Sequence, residues 1–374
     1  MRMKKTLVYL VTAILIMSLS TNAFAYSLDQ LIPAPGSGAA GSVSVTNVST
    51  NLSWTYTNPS YDRKLFYSND PEWIYSGNPT GILYQDSAIS GTGMFRIYWG
   101  HRNMTGSSKY IGFTITNNTG QTVDVKLGKR AHAESSASLN SDQMGRKVLQ
   151  DWLASSSTEY QYAQLTNGQT CRVSFLVPDQ QYSTGMYDVN IRDLSGNLVK
   201  TDTGILTKTF ISSSSSTVPT NILQTNMPQL GRGRLDHASK YLTWNASNGQ
   251  EISFTSSVTN SWSVPSNDLD IGYSQLDGQY FNLYGSYGQD LNITVNLNGS
   301  SAIVLSPGWE QRPYYGDYSD DDLTALVSGR GVVAKTVPYK QGWVLKTGVS
   351  GNQITVQTGL PGYHLAPLHL AVIT

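Results

Sequence analysis

The chain is 374 residues long and has one cysteine, Cys171. One thiol cannot form an internal disulfide, so the fold must be held by burial, not by the cross-links of small secreted domains. Charge is sparse, at 13% of residues, and balanced at 25 basic against 25 acidic. No Lys/Arg stripe exists, which excludes the electrostatic footprint of a nucleic-acid binder. Glutamate is scarce as well, with Glu72, Glu134, Glu159, Glu251 and Glu310 making up the whole set. Catalytic signatures are missing. There is no G-x-S-x-G elbow, no S-x-x-K motif and no H-E-x-x-H helix. Beyond residue 25 no run approaches the ~18 apolar residues of a membrane-spanning helix.

The one long apolar run lies at the start. Met1-Arg-Met-Lys-Lys5 precedes Leu7 to Leu19, and Ala23-Phe-Ala25 is a small-x-small cleavage site. This order predicts a secretory signal peptide over residues 1–25. Its removal takes three basic residues and leaves 22 basic against 25 acidic, a net charge near −3. Residues 26–41 read as a flexible leader. The G-x-G-x-x-G at Gly36–Gly41 follows Pro-Ala-Pro instead of a strand, so it is not a dinucleotide fingerprint. Seven N-x-Ser/Thr sequons, Asn103-Met-Thr105 among them, reflect the abundance of Asn, Ser and Thr.

Period-two alternation dominates from Ser42. Phe95–Trp99, Tyr110–Thr116, Thr122–Leu127, Cys171–Val177 and Met186–Ile191 place apolar residues at i, i+2 and i+4, the pattern of half-buried antiparallel strands. Asn117-Asn-Thr-Gly120 between two of them predicts a hairpin turn. The Ser-rich stretch 212–220 marks a linker between one β-sandwich-like domain at 42–211 and another at 221–374. Phe95-Arg-Ile-Tyr98 is echoed by Phe281-Asn-Leu-Tyr284, and later hairpins recur in the same order, which suggests a duplication. Each half is expected to carry one short helix. Asn140 and Gln143 have capping-box spacing ahead of Met144, Val148, Leu149 and Trp152, which share one helical face. Ser319 and Asp322, ahead of Leu323, Leu326 and Val327, predict the second.

The clearest functional clue is aromatic: 23 Tyr, eight Trp and eight Phe. Trp73 and Tyr75 sit in one loop-like cluster; Trp309, Tyr314, Tyr315 and Tyr318 sit in another, beside Pro313 and Gly316. Flat rings with polar tips suit sugars or protein partners. Glu72 and Glu310, each beside a Trp, are the candidate acid/base pair for hydrolysis of a polysaccharide. Asp317 and Asp320 are the candidate ligands of an irregular calcium site, since the EF-hand pattern fails at its glycine and its final glutamate. The five His have no metal-ligand spacing, and no cofactor is expected.

Asn69-Asp-Pro-Glu72, Gly81-Ile-Leu-Tyr-Gln-Asp86, Gly91-x-Gly93 and Tyr98-Trp-Gly-His-Arg-Asn103 together resemble a module of uncharacterised secreted or wall-associated proteins of spore-forming Gram-positive bacteria. The resemblance covers roughly residues 65–190 and implies an envelope location and no reaction. Where that module tends to carry two adjacent His, this chain has Gly100-His101. The expectation is thus an all-β, secreted or cell-wall protein that binds a glycan or a surface protein without catalysis. The alternatives are a polysaccharide hydrolase and a self-assembling fibre subunit.

Overall fold

The computed structural model describes residues 26–373 except 37–42, 44, 46, 50–51, 57–61, 137–138, 226–230, 255–269, 298–299, 308–319, 339, 351–352 and 361–367. The chain is nearly all β. A nine-stranded sheet runs β17 (Gln279–Leu283), β16 (Asp270–Ser274), β13 (Arg232–Leu235), β3 (Lys64–Ser68), β6 (Met94–Met104), β11 (Tyr182–Arg192), β8 (Val123–Glu134), β9 (Tyr160–Leu165), with β4 (Trp73–Tyr75) also on β6. A four-stranded sheet runs β10 (Thr170–Val177), β7 (Lys109–Asn117), β12 (Ile205–Ser212), β5 (Gly81–Asp86). A six-stranded sheet runs β1 (Leu31–Pro33), β22 (Gln341–Ser350), β19 (Ser300–Pro307), β24 (Leu368–Ile373), β15 (Gln250–Phe254), β2 (Asn47–Ser49). A five-stranded sheet runs β14 (Ser239–Ala246), β18 (Asp290–Leu297), β23 (Gln353–Thr358), β20 (Asp320–Val327), β21 (Gly331–Pro338).

Alternation builds both main cores. Phe95, Ile97 and Trp99 of β6 meet Ile111, Phe113 and Ile115 of β7, so the nine- and four-stranded sheets face each other. Ile303 and Leu305 of β19 meet Ile293 and Val295 of β18 in the same way, between the six- and five-stranded sheets. Trp99 lies flat over Gly185, where a Cβ would come within 2.0 Å of the ring, so only glycine leaves room there. Strands on the two sides of residues 212–220 share sheets: β13 pairs with β3, β1 with β22 and β2 with β15.

Three expectations need correction. Asn117–Gly120 is not a hairpin. β7 belongs to the four-stranded sheet and β8 to the nine-stranded one, so the turn is a corner between facing sheets. Its local chemistry was right, with Gly120 at φ 83°, but partner choice is set by distant strands. The second helix does not form over the described residues 320–327. Asp320–Val327 is strand β20, held between β21 and β23, and Leu323, Ala325 and Val327 alternate into the core. Asp322 does not cap a helix there; it takes a hydrogen bond from Arg146 Nη1 at 2.6 Å. The Ser-rich stretch 212–220 is tied to the fold by hydrogen bonds. Arg172 Nη2 donates to Ser214 O at 2.9 Å and Nη1 to Thr217 O at 3.0 Å, while Ser212 Oγ donates to Thr217 O at 2.8 Å. Within the expected flexible leader, Leu31–Pro33 pairs with β22 because Ile32 finds an apolar cluster to enter.

The first helix forms as expected. α1 (Ser141–Ala154) starts at Asn140, which makes the capping box with Gln143. Met144, Val148, Leu149, Trp152 and Leu153 bury against the outer face of the nine-stranded sheet, beside Tyr67, Tyr98 and Met186. Leu326 and Val332 of the five-stranded sheet pack on the same cluster, so α1 is wedged between the two sandwiched cores.

Candidate ligand-binding surface

β4 is short because Asp70-Pro71 precedes it and Ser76-Gly77 ends it. It adds Trp73–Tyr75 to β6 in parallel, opposite Arg102–Met104. Alternation buries Ile74 and turns Trp73 and Tyr75 the other way. Trp73 Nε1 donates to Tyr182 Oη at 3.0 Å, and the Arg102 guanidinium lies over the Tyr182 ring at 5.1 Å. Trp73 is thereby fixed, and Tyr75 stands edge-on to it at 6.5 Å with half of its surface exposed. The two aromatics of the first cluster do share one site.

Next to them is an open depression of about 250 Å³, lined by Trp73, Tyr75, Asn78, Gln224 and Thr225. Thr225 also lines a second depression of about 270 Å³, with Arg232, Asp277, Gln279 and Tyr280. Sharing Thr225, the two depressions are adjacent parts of one surface. Its far end is Tyr280, 76% exposed on edge strand β17, with Tyr273 of β16 at 5.1 Å. Phe66 and Arg234 are cross-strand partners, as are Arg234 and Tyr273, then Tyr273 and Tyr280, so all four side chains share one sheet face. Phe66 enters the first core, whereas the ledge of β16 and β17 extends past it and leaves Tyr280 and Ile271 in solvent. The sequence reading missed this ledge. Its one local signal is the pair Tyr273 and Tyr280, set symmetrically about the Gly278 turn.

Glu72 lies at the root of β4. Its backbone carbonyl accepts from Arg102 N at 2.6 Å, and its carboxyl is within electrostatic reach of Tyr67, Tyr98 and Tyr182. Burial pushes its pKa up to about 7, against the opposing pull of Arg102. A carboxyl whose pKa is raised on folding favours the folded state below its unfolded pKa near 4.5 and loses that advantage as pH rises through about 7. Glu72→Gln should therefore gain stability over the natural chain at pH 8 and none at pH 4. The gain is about 2 kcal/mol once solvent screening of a half-buried group is allowed for. Urea melts at the two pH values check this, and an equal effect at both would refute it.

The other candidates divide by position. Glu310, Trp309, Tyr314, Tyr315, Asp317 and Tyr318 lie outside the described residues. Asp320 opens β20. Among the described residues no cluster of three or more His, Cys, Asp or Glu could hold a metal. His101 is fully buried, with Nε2 3.0 Å from Ser68 Oγ and Nδ1 2.8 Å from Pro71 O, and burial pushes it down to about 4. His132 stacks on Phe175 at 3.4 Å and is pushed down to about 3 by burial. Both are neutral core residues. His369 Nδ1 sits 2.5 Å from Glu251 Oε1, and Ser306 is its ladder neighbour. That Ser-His-Glu row is at most 2% exposed, closed to any substrate. Cys171 is inert too, since burial pushes its thiol up to about 11.

No family model matches the chain, and no curated protein does. Among solved structures, the CUB1-EGF-CUB2 domains of rat MASP-1 are 10% identical, covering 80% of this chain and 99% of that one, with a TM-score of 0.19. The secreted serine protease VesC of Vibrio cholerae is 12% identical over 71% of this chain and 47% of that one, with a TM-score of 0.17. The T=3 Penaeus vannamei nodavirus is 11% identical over 93% and 94%, with a TM-score of 0.16. Scores this low carry no argument about fold or function.

Proposed function

We propose that this protein is a non-catalytic, exported component of the cell envelope or extracellular matrix that binds glycan through its aromatic groove. The observation that carries the reading is the junction at Thr225 of two open depressions, bounded by the exposed rings of Tyr75 and Tyr280. Rings at the ends with amides and hydroxyls between them suit sugar, whose faces are apolar and whose rims are polar. The segment Trp309, Tyr314, Tyr315 and Tyr318 is a second proposed contact on the strength of its sequence. Tandem β domains arising by duplication belong to the same proposal, with the two sheet-sheet cores as their support. Export and an envelope location rest on the residue 1–25 pattern. Among the described residues no helix is long and apolar enough to cross a membrane.

The test is retention of residues 26–374 on purified cell wall and insoluble polysaccharides. Tyr75→Ala and Tyr280→Ala should each release most of the bound protein, by about five- to tenfold in affinity, if a lost ring contact costs about 1 kcal/mol. Undiminished retention of both variants would overturn the groove as the site.

A polysaccharide hydrolase is the second reading, favoured by Glu72, which burial keeps protonated near neutrality as a general acid must be. It requires a second carboxylate within about 10 Å. Sugar release by the natural chain, abolished in Glu72→Gln, would support it.

A further inference from the structure

We propose that the groove takes an uncharged, linear glycan chain running from the Tyr75 ring to the Tyr280 ring, and that it does not accept polyanions. The inference rests on the glycan reading above and narrows its ligand.

Charge decides the first half. The depression beside Tyr75 has no charged residue in its lining. The one cation lining the other is Arg232, and its donors are committed. Nε and Nη2 hold Asp277 at 2.8 and 2.6 Å, and Nη1 donates to Leu83 O at 2.6 Å and Leu223 O at 2.9 Å. Four of the five N–H groups of that guanidinium are thereby spent. Burial opposes the charge on Asp277, but Arg232 outweighs it and holds the carboxyl below the usual range, so the pair is ionised and internally neutral. Asp70, the remaining carboxyl of the described lining, is buried, 1% exposed. A teichoic-acid-like or uronate polymer would find, among the described lining residues, no cation free to replace the solvation it loses. A neutral chain meets what is present: Asn78, Gln224, Thr225, Ser274 and Gln279.

Size decides the second half. Each depression alone is smaller than the ~300 Å³ at which small-molecule sites begin. A ligand confined to one would leave most of its surface in water. One that passes Thr225 fills both and reaches a ring at each end.

The test is calorimetric titration with cello- and chito-oligosaccharides of increasing length, and with polygalacturonate, at low and high salt. Affinity for the neutral series should rise about tenfold when the ligand becomes long enough to reach both rings, then level off. Salt should leave it unchanged. Tyr280→Ala should abolish the length step, and Tyr280→Phe should restore it by keeping the ring. Tyr280 is 76% exposed, so neither variant threatens the fold. Salt-sensitive binding of polygalacturonate, or a length series without a step, overturns the inference while leaving a glycan-binding protein. If neither polymer class binds, the proposed function falls with it.

Discussion

Arg96→Met is expected to destabilise the protein by about 3–5 kcal/mol, the cost of removing one partner from a buried ionic network. Arg96 is 2% exposed, near the start of β6. Its Nε donates to Asp188 Oδ1 at 2.7 Å on neighbouring β11, and its Nη1 to Asp290 Oδ1 at 2.8 Å on β18. Nη1 also reaches Ala238 O at 2.8 Å, and the guanidinium lies 4.1 Å from the Trp152 ring centre on α1. One side chain thus ties the nine-stranded sheet, the helix and the five-stranded sheet together. Methionine fills similar volume and keeps the contact with Trp152, so the loss isolates the charge. Asp290 would then be a buried carboxylate with Ser239, Asn292 and Gln357 as donors, without its direct ion-pair partner and left to the weaker pull of Arg63 and Lys129.

The same residue sets an acid dependence. Burial alone would raise the pKa of Asp290; the adjacent Arg96 charge and the hydrogen bonds outweigh it, so the carboxyl is held below its ordinary value of 3.8. A depressed pKa contributes stability above the unfolded value, lost as pH falls through the folded one. The natural chain should therefore lose stability steeply below about pH 4, and Arg96→Met should show a shallower acid limb because Asp290 is no longer favoured as an anion. Urea midpoints across pH measure both effects. A change under about 0.5 kcal/mol at pH 7 would show that the network is dispensable.

Local grammar in the sequence reached the strands and the first helix but not their partners. Asn140 and Gln143 sit three residues apart before an apolar face, and a capping box depends on nothing further away. Ser319 and Asp322 have the same spacing, yet Asp320–Val327 is a strand, because β21 and β23 supply ladders on both sides and the run that repeats helically at Leu323, Leu326 and Val327 also alternates at Leu323, Ala325 and Val327. A short apolar run fits either period, and its neighbours decide. Parallel pairings such as β3 with β6 and β14 with β18 have no local signature at all. For the groove, Trp73 and Tyr75 were legible as an aromatic cluster. Tyr280 was not, since its exposure follows from β17 lying beyond the reach of the facing sheet.

Asn117→Ala is expected to cost about 3 kcal/mol, and Asn103→Ala about the same, because the two residues build the same corner at opposite ends of β7. Asn117 Nδ2 donates to Gln121 O at 2.7 Å and Leu165 O at 2.9 Å, and its Oδ1 accepts from Thr119 N at 3.0 Å and Thr119 Oγ1 at 2.7 Å. Asn103 repeats this with Ser107 O at 2.8 Å, Val177 O at 2.9 Å, Thr105 N at 3.1 Å and Thr105 Oγ1 at 2.8 Å. Gly106 and Gly120 follow at φ 82° and 83°. Each Asn-x-Thr-Gly carries the chain from one facing sheet to the other, which gives two of the seven sequons a structural role; both asparagines are 0% exposed and closed to modification. Alanine leaves two carbonyls and an amide unpaired, at about 1–3 kcal/mol for each buried group. Thr119→Val removes one hydroxyl bond and should cost only about 1 kcal/mol. β7 is nine residues long, so the corners are about 30 Å apart at ~3.3 Å per residue. At that distance the losses should add, and a double variant losing about 6 kcal/mol would spend most of a typical domain's stability. Denaturant midpoints of the two single variants and the double variant decide it: additive losses show two independent corners, and a double variant no worse than either single one would mean that the first lost corner already frees β7.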